Sequence, residues 1–453
     1  MQYIPNILFF LLLAAGVGYF TKNIWTVIRN IKLGIPVAIN DHKKERYGNV
    51  ARIALGQSKL LKRPISGALH AIVYLGFIII NIEVLEIIID GLLGTHRIFA
   101  FLGGFYDFLI GTFEILALLV LVSVVLFWTR RNVLKIKRFL SPEMKGWPKQ
   151  DGNIILYFEV VLMGLFLIMN SSDYALQQMG AAKLISGSLV DPDLAHYIKA
   201  GSYPVSSLFA GIFDGMSQSS LIVIERTAWW LHITGILIFL NYLYFSKHLH
   251  ILLAFPNVYF GAVTPKGQFK NNQAVTAEVK MMMDPSVDPF AAPAPDAPPP
   301  AKFGASDVMD LSQVQLLNAY TCTECGRCTS ECPANQTGKK LSPRKIMMDT
   351  RDRLQEVSKN IDANAGVFVP DGKELLKDYI STEELWACTT CNACVEACPV
   401  SIDPLSIIMD MRQYLVMEQS AAPTELNGTM TNIENNGAPW PFNQMDRLNW
   451  AKE

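Results

Sequence analysis

Cys322-Thr-Glu-Cys325-Gly-Arg-Cys328-Thr-Ser-Glu-Cys332-Pro333 and Cys388-Thr-Thr-Cys391-Asn-Ala-Cys394-Val-Glu-Ala-Cys398-Pro399 contain all eight cysteines of the 453-residue chain and repeat one spacing. Three thiolates two residues apart wrap a short loop around one face of a cubane, and the fourth leaves on the segment that follows. This is the ligand arithmetic of two 4Fe–4S clusters. Structural zinc closes with four ligands from paired Cys-x2-Cys units and does not ask for the x3-Cys-Pro ending. Disulfides fit a cytoplasmic domain poorly, and the absence of any Cys-x-x-Cys-His excludes covalent c-type haem.

Where two clusters share a domain, the fourth cysteine of one motif serves the other cluster. That rule assigns Cys322, Cys325, Cys328 and Cys398 to one cluster, and Cys388, Cys391, Cys394 and Cys332 to the other. The repeat also runs past the cysteines. Leu341-Ser-Pro343-Arg-Lys-Ile-Met-Met-Asp-Thr-Arg351 follows the first motif, and Ile402-Asp-Pro404-Leu-Ser-Ile-Ile-Met-Asp-Met-Arg412 follows the second. Each reads as a Pro-started helix after a cluster loop, with Ile346/Met347 and Ile407/Ile408 as core positions. The 55 residues between Cys332 and Cys388 are too many for a compact bacterial-type ferredoxin and fit an α-helical one, with helices separating the motifs.

The remainder is apolar. Net charge is −1 and hydrophobic residues make up 51%, with a mean hydropathy of +0.24, so neither nucleic acid nor an acidic partner is indicated. Five apolar segments, at about 4–28, 65–89, 105–128, 153–170 and 227–248, each approach the roughly 20 residues that cross a bilayer. The chain is therefore expected to be all-α: a five-helix transmembrane bundle followed by a helical ferredoxin domain. The first segment lacks a basic lead and a small-x-small exit, and is read as a retained helix rather than a signal peptide.

Charge sets the orientation. Loop 29–64 carries nine Lys and Arg and loop 129–152 seven, whereas loop 90–104 has only Arg97 and loop 171–224 only Lys183 and Lys199. Positive loops stay inside, which puts the N-terminus outside and the cysteine domain in the cytoplasm of a bacterial or archaeal inner membrane. Seven prolines between Asp284 and Pro300 mark a stiff linker. The expected division is a membrane domain over 1–255, a connector over 256–310, the dicluster domain over 311–420 and a tail over 421–453.

Four of the seven histidines, His70, His232, His248 and His250, lie in or at the ends of spans. A histidine in hydrocarbon is costly unless partnered, and marks a functional site by default. His232 and His250 are 18 residues apart, five whole turns, so on one helix they share a face about 27 Å apart. That spacing lets one helix serve two stacked b-haems. Alone, the bland reading is a hydrogen-bonded packing histidine for His232 and interfacial residues for His248 and His250. His70, at matching depth on the second span, favours a haem held by His70 and His250. Ile80 stands where a partner for His232 is expected, so one haem is supported and the second lacks a ligand. Glu83, Glu86 and Glu114 with His232 form a candidate quinol-side proton group in the outer half; for each glutamate alone, a polar bundle interior is an equal reading. Glu159, near the cytoplasmic start of the fourth span, fits less well.

Trp229-Trp-Leu-His232 through Phe245-Ser-Lys-His-Leu-His250 resembles the last span of the cytochrome b (gamma) subunit of respiratory nitrate reductase. Arg63-Pro-x4-Leu-His70 with Gly76-Phe77 resembles the second span of membrane subunits of heterodisulfide-reductase-like and quinone-interacting oxidoreductase complexes. Joined to a dicluster domain, the arrangement resembles the fused membrane iron–sulfur proteins of the heterodisulfide-reductase-related family. The resemblance implies b-haem, exchange with menaquinone or ubiquinone, and docking to a separate cytoplasmic redox subunit. Many such proteins carry CCG cysteine-rich domains. All eight cysteines here are already used, so that centre, or a flavin, is expected on the partner. The expected role is electron transfer between quinone, haem, two clusters and that partner. The competing classes are a non-catalytic membrane anchor or redox sensor, and a self-contained enzyme, against which stands the lack of a Gly-rich nucleotide motif or a nucleophile–base constellation.

Overall fold

The five apolar segments become five helices long and apolar enough to cross a membrane: α1 (Ile4–Ile31), α2 (Pro64–Leu93), α3 (Gly104–Asn132), α4 (Trp147–Ile185) and α5 (Gln218–Tyr242). The structure, a computed structural model, describes residues 3–185, 194, 196–197, 199–265, 267–269, 271–286 and 302–452. Local chemistry places the ends. Pro64 opens α2 where its missing N–H costs nothing, and Gly94 closes it in the left-handed conformation. Ser217 caps α5 by accepting from the Ser220 amide. The fourth span is longer than the apolar run suggested, because polar Asn170, Ser171, Ser172 and Asp173 continue it as buried residues. α4 packs along α5, α3 bridges α2 and α4, and α1 lies against α2 and α5.

The fifth span departs from expectation. A single helix carrying both His232 and His250 is not what forms: α5 ends at Tyr242, a 3-10 turn follows, and Ser246 is extended (φ −116°, ψ 148°). A second short turn then leads into α6 (His250–Phe260). Two side chains stabilise the break. Ser246 Oγ accepts from the His248 amide at 3.0 Å, and Asp151 of α4 accepts from Tyr242 Oη at 2.7 Å and the Lys247 amide at 3.1 Å. The five-turn register between His232 and His250 is thereby lost.

Beyond the membrane, among the described residues, the chain is helical with only isolated bridges. α7 (Gln313–Thr321), α8 (Pro343–Ala363) and α9 (Pro404–Met417) surround the two cysteine loops. α8 and α9 start at the expected prolines, capped by Ser342 and Asp403, and Ile346, Met347, Ile407 and Ile408 are buried. One apolar core runs unbroken from Val27, Leu162, Phe239 and Leu249 of the membrane helices into Leu311, Leu316 and Ile346. Both basic loops meet this domain. Arg63 pairs with Glu331 at 2.7 Å, Arg344 binds Glu143 and the Arg138 carbonyl, both at 2.7 Å, and Ile35 exchanges backbone bonds with Leu311 and Gln313. At Gly34 a Cβ would come within 2.7 Å of the Leu311 carbonyl, so the approach requires glycine. The side of the bundle carrying this domain is called the near side below. Most of the Pro-rich linker lies outside the described residues.

Candidate redox site

Both cysteine loops use the same backbone device. Glu324 and Thr390, before the second cysteine, have φ of 54° and 57°, and Gly326 and Asn392, after it, have φ of 72° and 61°. These left-handed positions curl the loop. At Gly326 a Cβ would fall 2.5 Å from Arg344 Nη1. Cys332 lines one small cavity with Cys388, Cys391 and Cys394 of the other motif, while Cys398 lies within electrostatic reach of Cys325 and Cys328. Cys332 thus sits with the second motif's first three cysteines, and Cys398 near two of the first motif's.

All eight thiols are free, and burial pushes Cys322 up to about 12 and Cys398 up to about 11. Thiols so disfavoured as bare anions become thiolates when a metal cluster takes the place of their protons. Among the described residues no three His, Cys, Asp or Glu side chains converge on one ion.

Facing the first loop is a cavity of about 410 Å³ between α2, α3, α4 and the 243–250 turn. His70, His248, His250 and Glu159 line its membrane part, and Cys325 and Arg327 its other wall. The His70 and His250 ring centroids are 6.4 Å apart. Two imidazoles bound on opposite faces of one metal at about 2 Å have ring centres roughly 6 Å apart. The His250 Nδ1 donates to the Lys247 carbonyl at 3.0 Å, which leaves the Nε2 lone pair for a ligand. His70 Nδ1 and Arg131 Nε are buried without a partner. Lys247, in the turn, pairs with Glu324, which Arg351 also holds at 2.8 Å. The histidine turn and the first cysteine loop are therefore clamped together.

The far side is arranged differently. Arg97 is only 6% exposed and binds Glu83 at 2.8 Å, Asn170 at 2.7 Å and Asp173 at 3.0 Å. Glu86 accepts from the Phe99 amide at 2.9 Å and Tyr106 Oη at 2.8 Å, and Glu114 from the Val205 and Ser206 amides at 2.9 and 3.1 Å. These carboxylates anchor the far-side loops. His232 does not join them: its Nδ1 donates to the Leu162 carbonyl at 3.0 Å and its ring packs on Phe166. Ile80 is packed with Phe113, Phe166 and Ile233 at this level. Sequence reasoning missed Arg97, although Glu83, Glu86 and Asp90 share one helical face beneath the sole basic residue of loop 90–104.

Residues 321–402 match the model of the 4Fe-4S dicluster domain family. The chain is similar to a probable iron-sulfur-binding oxidoreductase FadF of Bacillus subtilis, 29% identical over 99% of this chain and 61% of that protein. It is also similar to an EtfAB:quinone oxidoreductase of Syntrophomonas wolfei, 26% identical over 91% of this chain and 55% of that protein. One of the subunits of the dihydromethanophenazine:CoB–CoM heterodisulfide reductase of Methanosarcina mazei is 29% identical over 33% of this chain and 37% of its own length. The chain thus spans between half and two thirds of the length of the first two relatives. No solved structure matches. Iron–sulfur oxidoreductases and heterodisulfide reductase subunits are its relatives, in line with the resemblance read from the sequence, and its role is iron–sulfur electron transfer within a membrane protein.

Proposed function

We propose that the chain conducts electrons between the quinone pool and a soluble redox protein, with a single b-type haem held by His70 and His250 as the link to the clusters. The observation that supports this most is the cavity that joins two imidazoles 6.4 Å apart to Cys325 of the first cysteine loop. Bound haem and quinone supply the redox chemistry, and the protein sets distance, orientation and access. Lys247 fixes the tautomer of His250. Arg131, which lines the same cavity with its buried Nε unpartnered, would offer a cation to the acidic groups of the haem.

Quinone would react at the membrane end of the same cavity, where Glu159 lines the wall and supplies a carboxylate to take and release protons. The outer carboxylates serve this poorly. Glu83 lies 13 residues beyond His70 on α2, about 20 Å along the helix, and is engaged by Arg97. The basic loops and the cysteine domain would face the cytoplasm, and exposed Cys391 would mark where a partner carrying flavin or CCG-type domains docks. The S. wolfei relative, an EtfAB:quinone oxidoreductase, agrees with quinone at one end.

Anaerobically purified protein tests this by absorption spectroscopy and haem extraction. One b-haem, lost in both His70→Ala and His250→Ala and reduced by added quinol, is expected. Two haems, or haem retained in either variant, overturns the ligand pair. A haem that quinol does not reduce would turn the reading to a membrane-anchored redox sensor.

A further inference from the structure

The two cysteine loops are copies, so the places where they differ in charge bear on the groups they hold. Arg351 and Arg412 occupy equivalent positions in the repeat, and the charge of each reaches the first cysteine of its motif, Cys322 and Cys388. They are common to both. The differences lie elsewhere. Arg327 precedes the third cysteine of the first motif, where the second has Ala393. Its guanidinium binds only the Lys59 and Leu60 carbonyls, at 3.3 and 3.2 Å, and its charge reaches Cys325 and Cys398. Ser342 caps the helix after the first motif, where the second has Asp403, whose charge reaches Cys394. Arg138, from the basic loop of the bundle, places its Cβ 3.4 Å from where a side chain on Gly326 would start. The first loop also differs by Glu324 and Glu331, against Glu396 on the second; Lys247 and Arg351 offset Glu324, and Arg63 and Lys62 pair with Glu331 and Glu396.

Taking these as the ligand sets of the proposed function, we infer that Arg327 and Arg138, against Ala393 and Asp403, make the cluster site built on Cys322, Cys325, Cys328 and Cys398 the higher-potential of the two. A cluster gains one negative charge on reduction, so nearby cations favour its reduced form and an anion disfavours it. Solvent at Cys391 also favours reduction at the second site, against which stand the buried Arg327, part of the first loop itself, and Arg138 beside it. One electron shared between the sites then rests on the first: a reduced second site and an oxidised first site exchange it to become oxidised and reduced, with no proton or bond involved. The gradient runs from the exposed loop toward the membrane cavity. The chain is built to receive electrons from its soluble partner and deliver them inward.

Potentiometric titration of the full-length protein in detergent, followed by electron paramagnetic resonance with dithionite as reductant, tests this. Cys391→Ser identifies the second-motif signal. The first-motif signal should appear at the higher potential. Arg327→Gln should shift that signal to lower potential and leave the other in place, while Arg327→Lys should keep it near the wild-type value. Ala393→Arg should raise the second. A second-motif signal at the higher potential, or one unmoved by Ala393→Arg with the first unmoved by Arg327→Gln, overturns the ordering. A protein with no pair of cluster signals refutes instead the two-cluster reading on which the ordering rests.

Discussion

On the far side of the bundle Glu83, Glu86, Asp173 and Arg97 satisfy one another or backbone amides, whereas on the near side His70, His248, His250 and Glu159 line open space. Both halves bury ionisable groups in a setting where each is costly unless partnered. The far half meets most of that cost internally, with Glu83 Oε2 and Glu114 Oε1 left over, and the product is architecture: the loops around Phe99 and Val205 are tied to helix carboxylates. The near half leaves ring nitrogens and a carboxylate lining a cavity, where the proposed haem and quinone would partner them. Substitutions in the two halves should therefore fail in different ways, one in stability and the other in cofactor content and rate.

The largest effect belongs to the cysteine that joins the two motifs. Cys332→Ser should remove the cluster grouped with Cys388, Cys391 and Cys394 and leave the other, so non-haem iron falls from about eight to about four per chain. Iron analysis with electron paramagnetic resonance decides it. Loss confined to the signal of the first motif would break the cross-motif pairing that the cavity around Cys332 favours.

Next is Arg97→Met, which strands Glu83 and Asp173 in the bundle. Removing one partner of a buried ion pair costs about 3–5 kcal/mol, read as a lower denaturation midpoint in detergent. The haem absorbance per folded molecule should not change. A variant of normal stability that loses haem would erase the distinction between the halves. Glu159→Gln should do the reverse: stability and haem content stay, and quinol-driven haem reduction slows by about 100-fold, the size expected for removing a positioned proton acceptor. Stopped-flow reduction measures it, and an unchanged rate would remove Glu159 from the quinone site.

The sequence announced the parts with strong local signals. Cysteine spacing, the Pro343 and Pro404 helix starts and five apolar runs are short-range patterns, and each appears where it was read. What stayed hidden depends on partners distant in the chain. The stretch Leu243-Tyr-Phe-Ser-Lys-His-Leu-His250 holds neither glycine nor proline, so nothing local announces that α5 stops. Asp151, nearly a hundred residues earlier, accepts from the Lys247 amide and the Tyr242 hydroxyl and stabilises the break. Arg97 reads as a loop cation until Asn170 and Asp173 on α4 are seen to close around it. The quinol group drawn from Glu83, Glu86, Glu114 and His232 rested on depth along helices, and depth does not say which way a side chain is already engaged.

His232 gives the smallest and most discriminating effect. As a haem ligand its removal would abolish a cofactor, and as a quinol-side base it would slow reduction. The structure gives it neither setting: its Nδ1 donates to Leu162, its ring lies on Phe166 at 5.9 Å, and Ile80 fills the level where an opposing ligand would stand. His232→Ala removes one hydrogen bond and some packing, a loss of about 1–2 kcal/mol. Haem absorbance and the rate of quinol-driven reduction should both match the parent protein, with only the denaturation midpoint slightly lowered. A bleached haem band would restore the stacked two-haem arrangement that the broken helix argues against, and a slowed reduction would return the quinone to the far side.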